Sequence, residues 1–230
     1  MQNIGVDGCK AGWVACWRER DALKFQIFAN FNVLIETFDK QSRIAIDMPI
    51  GLPDTVGAGG RGPEGLIRPL LGIRKSSVFS IPSRRAVYAQ TYPEACAAAF
   101  ESSNPQRKIS KQGFFLFPKI REIDAALRAD NTLRLRVFET HPELIFCKLN
   151  EQPLHFGKKT AVGAKERTEL LRQFGLPIED WPKLSGAAQD DIIDAAACLV
   201  TAEQISAGAA TSFPAKPALD SFGIPIAIWA

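Results

Sequence analysis

The sequence has little of what most zinc and disulfide sites require. It contains only two histidines, His141 and His155, at unrelated positions, so a histidine-rich zinc site is not expected. The five cysteines are odd in number and no two form a CxxC pair. This argues against a disulfide framework and a cysteine zinc site, and it fits a reducing cytoplasm.

Long apolar runs and a strong net charge are also missing. No apolar stretch approaches the ~18 residues of a membrane span, and Asp7 interrupts the first one, which argues against a signal peptide. The composition, with 46% hydrophobic and 23% charged residues, is that of a globular protein. A net charge of +3 is too small to indicate a nucleic-acid-binding protein, although it is compatible with a local basic patch. We expect a cytoplasmic protein, away from membranes, with one domain over residues 1–230.

Two common catalytic signatures are absent as well. The stretch "GAGGRG" (57–62) follows no predicted strand and lacks GK[ST], so it is not expected to be a P-loop or a dinucleotide fingerprint. No GxSxG occurs, which leaves an esterase elbow unsupported.

Hydrophobic periodicity predicts a mixed sheet covered by helices, which is the α/β class. The predicted strands are 3–8, 12–18, 23–29, 43–47, 133–139 and 222–230, the first three forming an antiparallel meander. The predicted helices are 30–38, 93–100, 119–130, 165–175 and 190–208. Pro225 favours an edge position for the last strand. The stretch at about 50–105 predicts an insertion that carries function or mobility.

Acidic residues stand at strand ends, where sites gather in open α/β sheets. Asp7 lies in the first strand, Asp47 ends the fourth, and Glu139 ends the fifth. Burying an unpaired charge is costly, so Asp7 is expected to cap a turn, to pair with a base such as Lys10, or to help hold a cation. An Asx-type turn before Pro49 is an alternative role for Asp47.

Three further acids open the last helix. Asp190, Asp191 and Asp194 lie within one arc of about 100°, opposite the aliphatic face. Capping is sufficient to explain acids in a first turn. A nearby Mg²⁺ ion would turn their mutual repulsion into attraction, because it prefers carboxylate oxygens. Capping does not explain the strand acids, and the joint pattern therefore favours a cation site.

At these residues the sequence resembles the ribonuclease H-like superfamily. The spacing of Asp191, Asp194 and Ala195 is similar to the last helix of Holliday-junction resolvases of this fold. Almost the whole chain resembles an uncharacterised bacterial family labelled domain of unknown function 429, described as predicted nucleases. The matching stretches are "GVDGCKAGWV", "AIDMPIGLP", "SSVFSIPSR", "SKQGFFLFPKIREID", "ETHPE" and "DDIIDA".

The resemblance implies a ribonuclease H-like mixed five-stranded sheet, flanked by helices, with an insertion after the fourth strand. It implies a nuclease that hydrolyses phosphodiester bonds in DNA or RNA with two Mg²⁺ or Mn²⁺ ions. The implied metal ligands are Asp7, Asp47, Glu139, Asp190, Asp191 and Asp194. Glu143 is an alternative ligand, and His141 is either a proton shuttle or a turn residue. Glu36, on the first helix, matches the glutamate of ribonuclease H only loosely.

Basic and hydroxyl side chains are predicted to contact phosphate, although a solvated surface explains them equally. These residues are Lys10, Arg74, Lys75, Ser76, Ser77, Arg84, Arg85 and Lys119. Phe79 is a candidate for stacking on a base, whereas Phe114, Phe115 and Phe117 are expected in the core. Ser110 is expected to cap a helix.

Two other functions stay open. One is a nucleotide-binding phosphotransferase or ATPase of the actin-like group, which usually duplicates the domain. The other is a nucleic-acid-binding module without catalysis. A homodimer is possible in each case, since no interface stands out in the sequence.

Overall fold

The computed structural model describes residues 1–230 and contains one mixed sheet of seven strands. The strands are β1 (Asn3–Cys9), β2 (Gly12–Glu19), β3 (Ala22–Phe28), β4 (Arg43–Ile46), β5 (Val137–Thr140), β6 (Ser212–Leu219) and β7 (Pro225–Trp229). Their order is β3-β2-β1-β4-β5-β7-β6. Strands β1, β4, β5 and β7 are parallel, and the other pairings are antiparallel. The α/β class and the meander are confirmed, but the sheet has seven strands where five were expected.

Eight α-helices flank the sheet. They are α1 (Phe31–Thr37), α2 (Pro63–Ile67), α3 (Arg84–Val87), α4 (Tyr92–Glu101), α5 (Lys111–Ala129), α6 (Pro142–Leu149), α7 (Ala161–Gln173) and α8 (Gln189–Ser206). Ser110 caps α5 as expected, because its hydroxyl accepts the Gly113 N–H at 3.0 Å. Glycines in the left-handed region follow α7 and α8, at Gly175 and Gly208. None of the helices combines the length and the apolarity that crossing a bilayer requires.

Two apolar layers cover both faces of the sheet. On one face, Ile4 and Val6 of β1 pack in a cluster with α5 residues such as Phe117. On the other face, Cys9 of β1 packs in a cluster with Leu199 of α8. Strand β1 therefore has no solvent-facing side. This explains why it is almost continuously apolar apart from Asp7.

The predicted strand at 133–139 is wrong over its first half. Residues Asn131–Leu135 form a 3₁₀ segment, which begins where the Asp130 side chain accepts the Thr132 N–H at 2.8 Å. Leu135 is 74% exposed, so its alternation with arginines does not reflect a buried face. Strand β5 starts only at Val137.

The C-terminal strand pair was only half predicted. Strand β7 is an inner strand, so the edge position expected from Pro225 is wrong. Pro225 is the first residue of β7, a position where a missing N–H is tolerated. The edge belongs to β6, whose sequence "SFPAKPAL" contains Pro214 and Pro217. These prolines fall where the pairing of β6 with β7 shifts its register between Phe213 and Ala218.

Candidate metal centre

Two aspartates lie side by side at the carboxyl ends of β1 and β4. Val6 and Ile46 are parallel partners, and the Asp47 N–H donates to the Val6 carbonyl oxygen at 2.9 Å. Asp7 and Asp47 are the next residues along the two chains. Because adjacent strands lie about 4.8 Å apart and side chains alternate, both carboxylates project from the same face.

Helix α8 brings a third aspartate to this pair. A Cβ atom at Gly5 would lie 2.1 Å from the Ala195 carbonyl oxygen, so the missing side chain lets α8 rest directly on β1. Asp7 follows Gly5 by two residues and faces the same helix. Asp194 therefore reaches the strand ends, and the ligand atoms of Asp7, Asp47 and Asp194 all lie within 4.8 Å of one another. We call these three residues the acidic triad.

Burial raises the pKa of each triad carboxyl, and repulsion from other triad carboxylates adds to the shift at Asp7 and Asp194. Burial and then the charges of Asp47 and Asp194 raise the pKa of Asp7 well above its ordinary range. Burial raises the pKa of Asp47 to about 6. It raises that of Asp194 to about 7, although Lys158 opposes the shift. The triad thus holds protons near neutral pH unless a cation replaces them.

Asp7 forms no salt bridge, although the charge of Lys158 nearby acts to lower its pKa. Its side chain is buried, with 7% of its surface exposed, and its hydrogen bond comes from the adjacent Gly8 N–H. Lys10 lies exposed at the turn between β1 and β2 and forms no salt bridge with it. Three carboxylates at this spacing could hold a hard divalent cation such as Mg²⁺.

Lys158 reaches the triad from the segment between α6 and α7, and the sequence did not single it out. Its Nζ atom lies 2.5 Å from Asp194 Oδ2 and 3.6 Å from Asp190 Oδ2. Burial alone would lower the pKa of Lys158, but the charges of Asp194, Asp7 and Asp47 raise it above its ordinary value. The one signal in the sequence is the basic stretch "GKKT" (157–160), which ends at Thr160, the N-cap of α7.

The comparisons with known proteins give one match. The sequence model of a family described as "Protein of unknown function (DUF429)" matches residues 5–219. The chain belongs to this family. No curated protein and no solved structure matches it.

The residues matched by the DUF429 model include the whole triad. They also include the other predicted metal ligands, which are not members of the triad. The Asp191 carboxylate accepts the Ala188 N–H at 2.8 Å, so it caps α8. Asp190 lies beside Lys158. Glu36, on α1, is exposed.

Glu139 is held by Arg61 in a buried ion pair. Arg61 Nη2 lies 2.7 Å from Glu139 Oε1, and the Ile50 N–H donates to Oε2 at 2.7 Å. Arg61 also contacts Glu64 at 2.7 Å, and its own side chain is fully buried. Burial raises the pKa of Glu139 to about 7 although Arg61 opposes the shift. The sequence did not reveal Arg61, which lies within "GAGGRG".

Glu143 and His141, two further residues of the "ETHPE" motif, differ in their partners. Glu143 accepts two hydrogen bonds from Arg167, at 2.7 and 2.8 Å. His141 Nε2 lies 3.5 Å from the Ser77 carbonyl oxygen, and its Nδ1 is buried without a partner. Burial lowers the pKa of His141, so the imidazole is neutral near pH 7.

The predicted phosphate contacts divide into two groups. Arg74, Ser76, Ser77 and Lys119 line the cavity above the triad, which has a volume of about 670 Å³. Lys10, Lys75, Arg84 and Arg85 do not line it. Arg84 instead forms internal ion pairs, because it contacts Asp124 at 2.8 Å and Asp220 at 2.6 Å. Arg85 pairs with Glu101 at the surface.

Aromatic side chains form part of the same cavity wall. Phe79 and Phe115 both line it. Phe117 is buried and Phe114 is half-buried, as expected. Phe115 is 73% exposed, so its predicted core position is wrong. Lys119 lies one helical turn after Phe115, and its stem passes over Gly8 next to the triad.

Proposed function

We propose that this DUF429 protein is a metal-dependent nuclease that hydrolyses phosphodiester bonds in DNA or RNA. The observation that carries the proposal is the convergence of Asp7, Asp47 and Asp194, whose ligand atoms lie within 4.8 Å of one another. We also propose the ribonuclease H-like fold. The meander β1–β3, the parallel strands β4 and β5, and α8 lying across β1 support it.

The triad would hold Mg²⁺ or Mn²⁺, and Asp7 lies in the strand next to that of Asp47. A bound divalent ion supplies the Lewis acidity that activates water and stabilises charge on a phosphodiester. The neutral imidazole of His141, in the same cavity, is suited to accept a proton. No covalent nucleophile is required of the chain.

Nucleic acid is the substrate class that the cavity walls support best. Phe79 and Phe115 offer aromatic surface on which a base can stack. Arg74, Lys158 and Lys159 line the same cavity and can contact phosphate oxygens. The stacking surface suits a base, and the cations and the divalent-ion site suit the phosphate of a nucleotide unit.

Cleavage assays with the Asp7→Asn variant test the proposal. We expect wild-type protein with Mn²⁺ to cleave at least one of a branched, an RNA–DNA hybrid and a single-stranded substrate. Asp7→Asn should reduce cleavage to background, because the neutral amide keeps the shape but loses the charge. Asp21→Asn is the matched control, since Asp21 is exposed at the turn between β2 and β3.

Two results would overturn the nuclease proposal. One is cleavage by Asp7→Asn at the wild-type rate. The other is the absence of Mn²⁺-dependent cleavage together with thermal stabilisation by ATP, which would indicate a phosphotransferase or ATPase. Binding of nucleic acid that no acid substitution alters, without cleavage, would indicate a non-catalytic module.

A further inference from the structure

Lys158 occupies a position at which a two-ion centre would bind its second metal ion. Its ammonium group is bonded to Asp194 Oδ2 at 2.5 Å and lies 3.6 Å from Asp190 Oδ2. A divalent ion bound on that side of Asp194 would lie within a few ångströms of the lysine's positive charge. The repulsion would be strong, because both charges are partly shielded from water.

The other acids near the triad already have partners. The pairs are Glu139 with Arg61, Glu143 with Arg167, Asp190 with Lys158, and Asp191 with the Ala188 N–H. A second ion, about 3.5–4 Å from the first, needs carboxylate ligands of its own. Each carboxylate that such an ion might use is committed to another group.

The triad itself has the dimensions of a site for one ion. Asp7 is more than nine-tenths buried, and it forms no salt bridge. Ligand atoms on opposite sides of one Mg²⁺ ion are about 4.2 Å apart, since each bond is about 2.1 Å long. The ligand atoms of the triad lie within 4.8 Å of one another, which is close enough for all three to reach one ion after small side-chain rotations.

We infer that the centre binds one divalent ion. The ammonium group of Lys158 replaces the second metal ion of a two-ion site and supplies a positive charge there. The inference rests on the proposed function, because it refines the metal site of the proposed nuclease. Lys158 neutralises Asp194 and faces the cavity. It is therefore also placed to contact a phosphate oxygen of the substrate.

Titration with Mn²⁺ tests this inference without measuring catalysis. Calorimetry gives the number of ions per chain, and electron paramagnetic resonance detects coupling between two neighbouring Mn²⁺ ions. We expect one uncoupled ion in the wild type and in Lys158→Arg, which keeps the charge. In Lys158→Met we expect a second ion with a coupled signal, and the first ion should bind on the order of tenfold more tightly.

Lys165→Met is the matched control, because Lys165 is exposed, forms no salt bridge and does not line the cavity. It should bind one ion with nearly wild-type affinity. Two coupled ions in the wild type would overturn the inference, and Asp7-dependent cleavage would then leave the proposed function standing. One ion with unchanged affinity in Lys158→Met would also overturn it. No Mn²⁺ binding by the wild type would overturn both.

Discussion

Asp7 and Asp47 occupy equivalent positions on neighbouring parallel strands, each one residue past the Val6–Ile46 pair. At Asp47, burial makes the charged form of the carboxyl group costly and raises its pKa. The pKa of Asp47 is about 6, against an ordinary value of 3.8. The folded protein therefore keeps a proton that the unfolded chain releases. The stabilisation from this proton is complete below about pH 4 and is lost as the pH rises through about 6.

Asp47→Asn should consequently stabilise the metal-free protein at pH 8. We expect a gain of about 1–3 kcal/mol in the free energy of unfolding, because the amide carries no charge to bury. Urea denaturation in EDTA at pH 5 and pH 8 measures it, and the gain at pH 5 should be about half of the gain at pH 8, because the unfolded chain still releases the proton at pH 5. Mg²⁺ should stabilise the wild type at pH 8 and leave Asp47→Asn unaffected. Equal stabilisation of both proteins by Mg²⁺ would contradict the assignment of Asp47 as a ligand.

Gly5→Ala should separate α8 from β1. The new Cβ would lie 2.1 Å from the Ala195 carbonyl oxygen and from the Leu199 nitrogen, both backbone atoms, so the helix must move. We expect a loss of about 3 kcal/mol or more in stability, in the range of severe overpacking, and much weaker Mn²⁺ binding. Denaturation and metal titration measure the two effects. Gly57→Ala is the control, since nothing lies within 4 Å of its added Cβ.

Arg61→Met should destabilise the protein strongly, because it leaves Glu139 and Glu64 buried without their partner. Breaking a buried ion pair on one side costs about 3–5 kcal/mol. Urea denaturation at pH 7.5 measures the loss. Arg85→Met removes an exposed arginine that pairs with Glu101, and it should change stability by less than about 1 kcal/mol. Similar losses of unfolding free energy in both variants would show that the buried ion pairs of Arg61 stabilise the protein no more than an exposed pair does.

Phe115→Ala should weaken nucleic-acid binding without unfolding the protein, because 73% of the side chain is exposed. Loss of one stacked base costs about 1–3 kcal/mol, which is roughly a five- to 150-fold weaker affinity. Fluorescence anisotropy with a labelled single strand measures it, in the Asp7→Asn background so that the strand is not cleaved. Phe100→Ala is the control, because Phe100 is an exposed residue of α4 that does not line the cavity. Equal affinities of the two variants would rule out a stacking role.

The meander and the strand-end acids were predictable from the sequence, because both follow from local rules. Asp7 interrupts a buried strand, and Asp47 ends another, so parallel pairing places them together. The choice between Asp191 and Asp194 was not predictable. It depends on how α8 is rotated on β1, and the close contact at Gly5 sets that rotation.

The basic residues that pair with these acids could not be predicted from the sequence, for a different reason. Arg61 and Lys158 lie in segments without periodicity, and each meets a carboxylate far away in the chain. A solvated surface position was an open alternative for Arg84, but its side chain forms ion pairs with Asp124 and Asp220. Spacing rules do not report such long-range pairs. Strand β6 escaped prediction because its two prolines contradict the usual strand composition.

The same prolines affect the tendency of the protein to aggregate through the edge of its sheet. Strand β6 is an outer strand of the sheet, where exposed amide groups would invite the backbone of another molecule. Pro214 and Pro217 have no amide hydrogen to offer, and Lys216 between them adds a charge. The β6 edge of the sheet is thereby a poor template for pairing with a strand of another molecule, which disfavours aggregation through this edge.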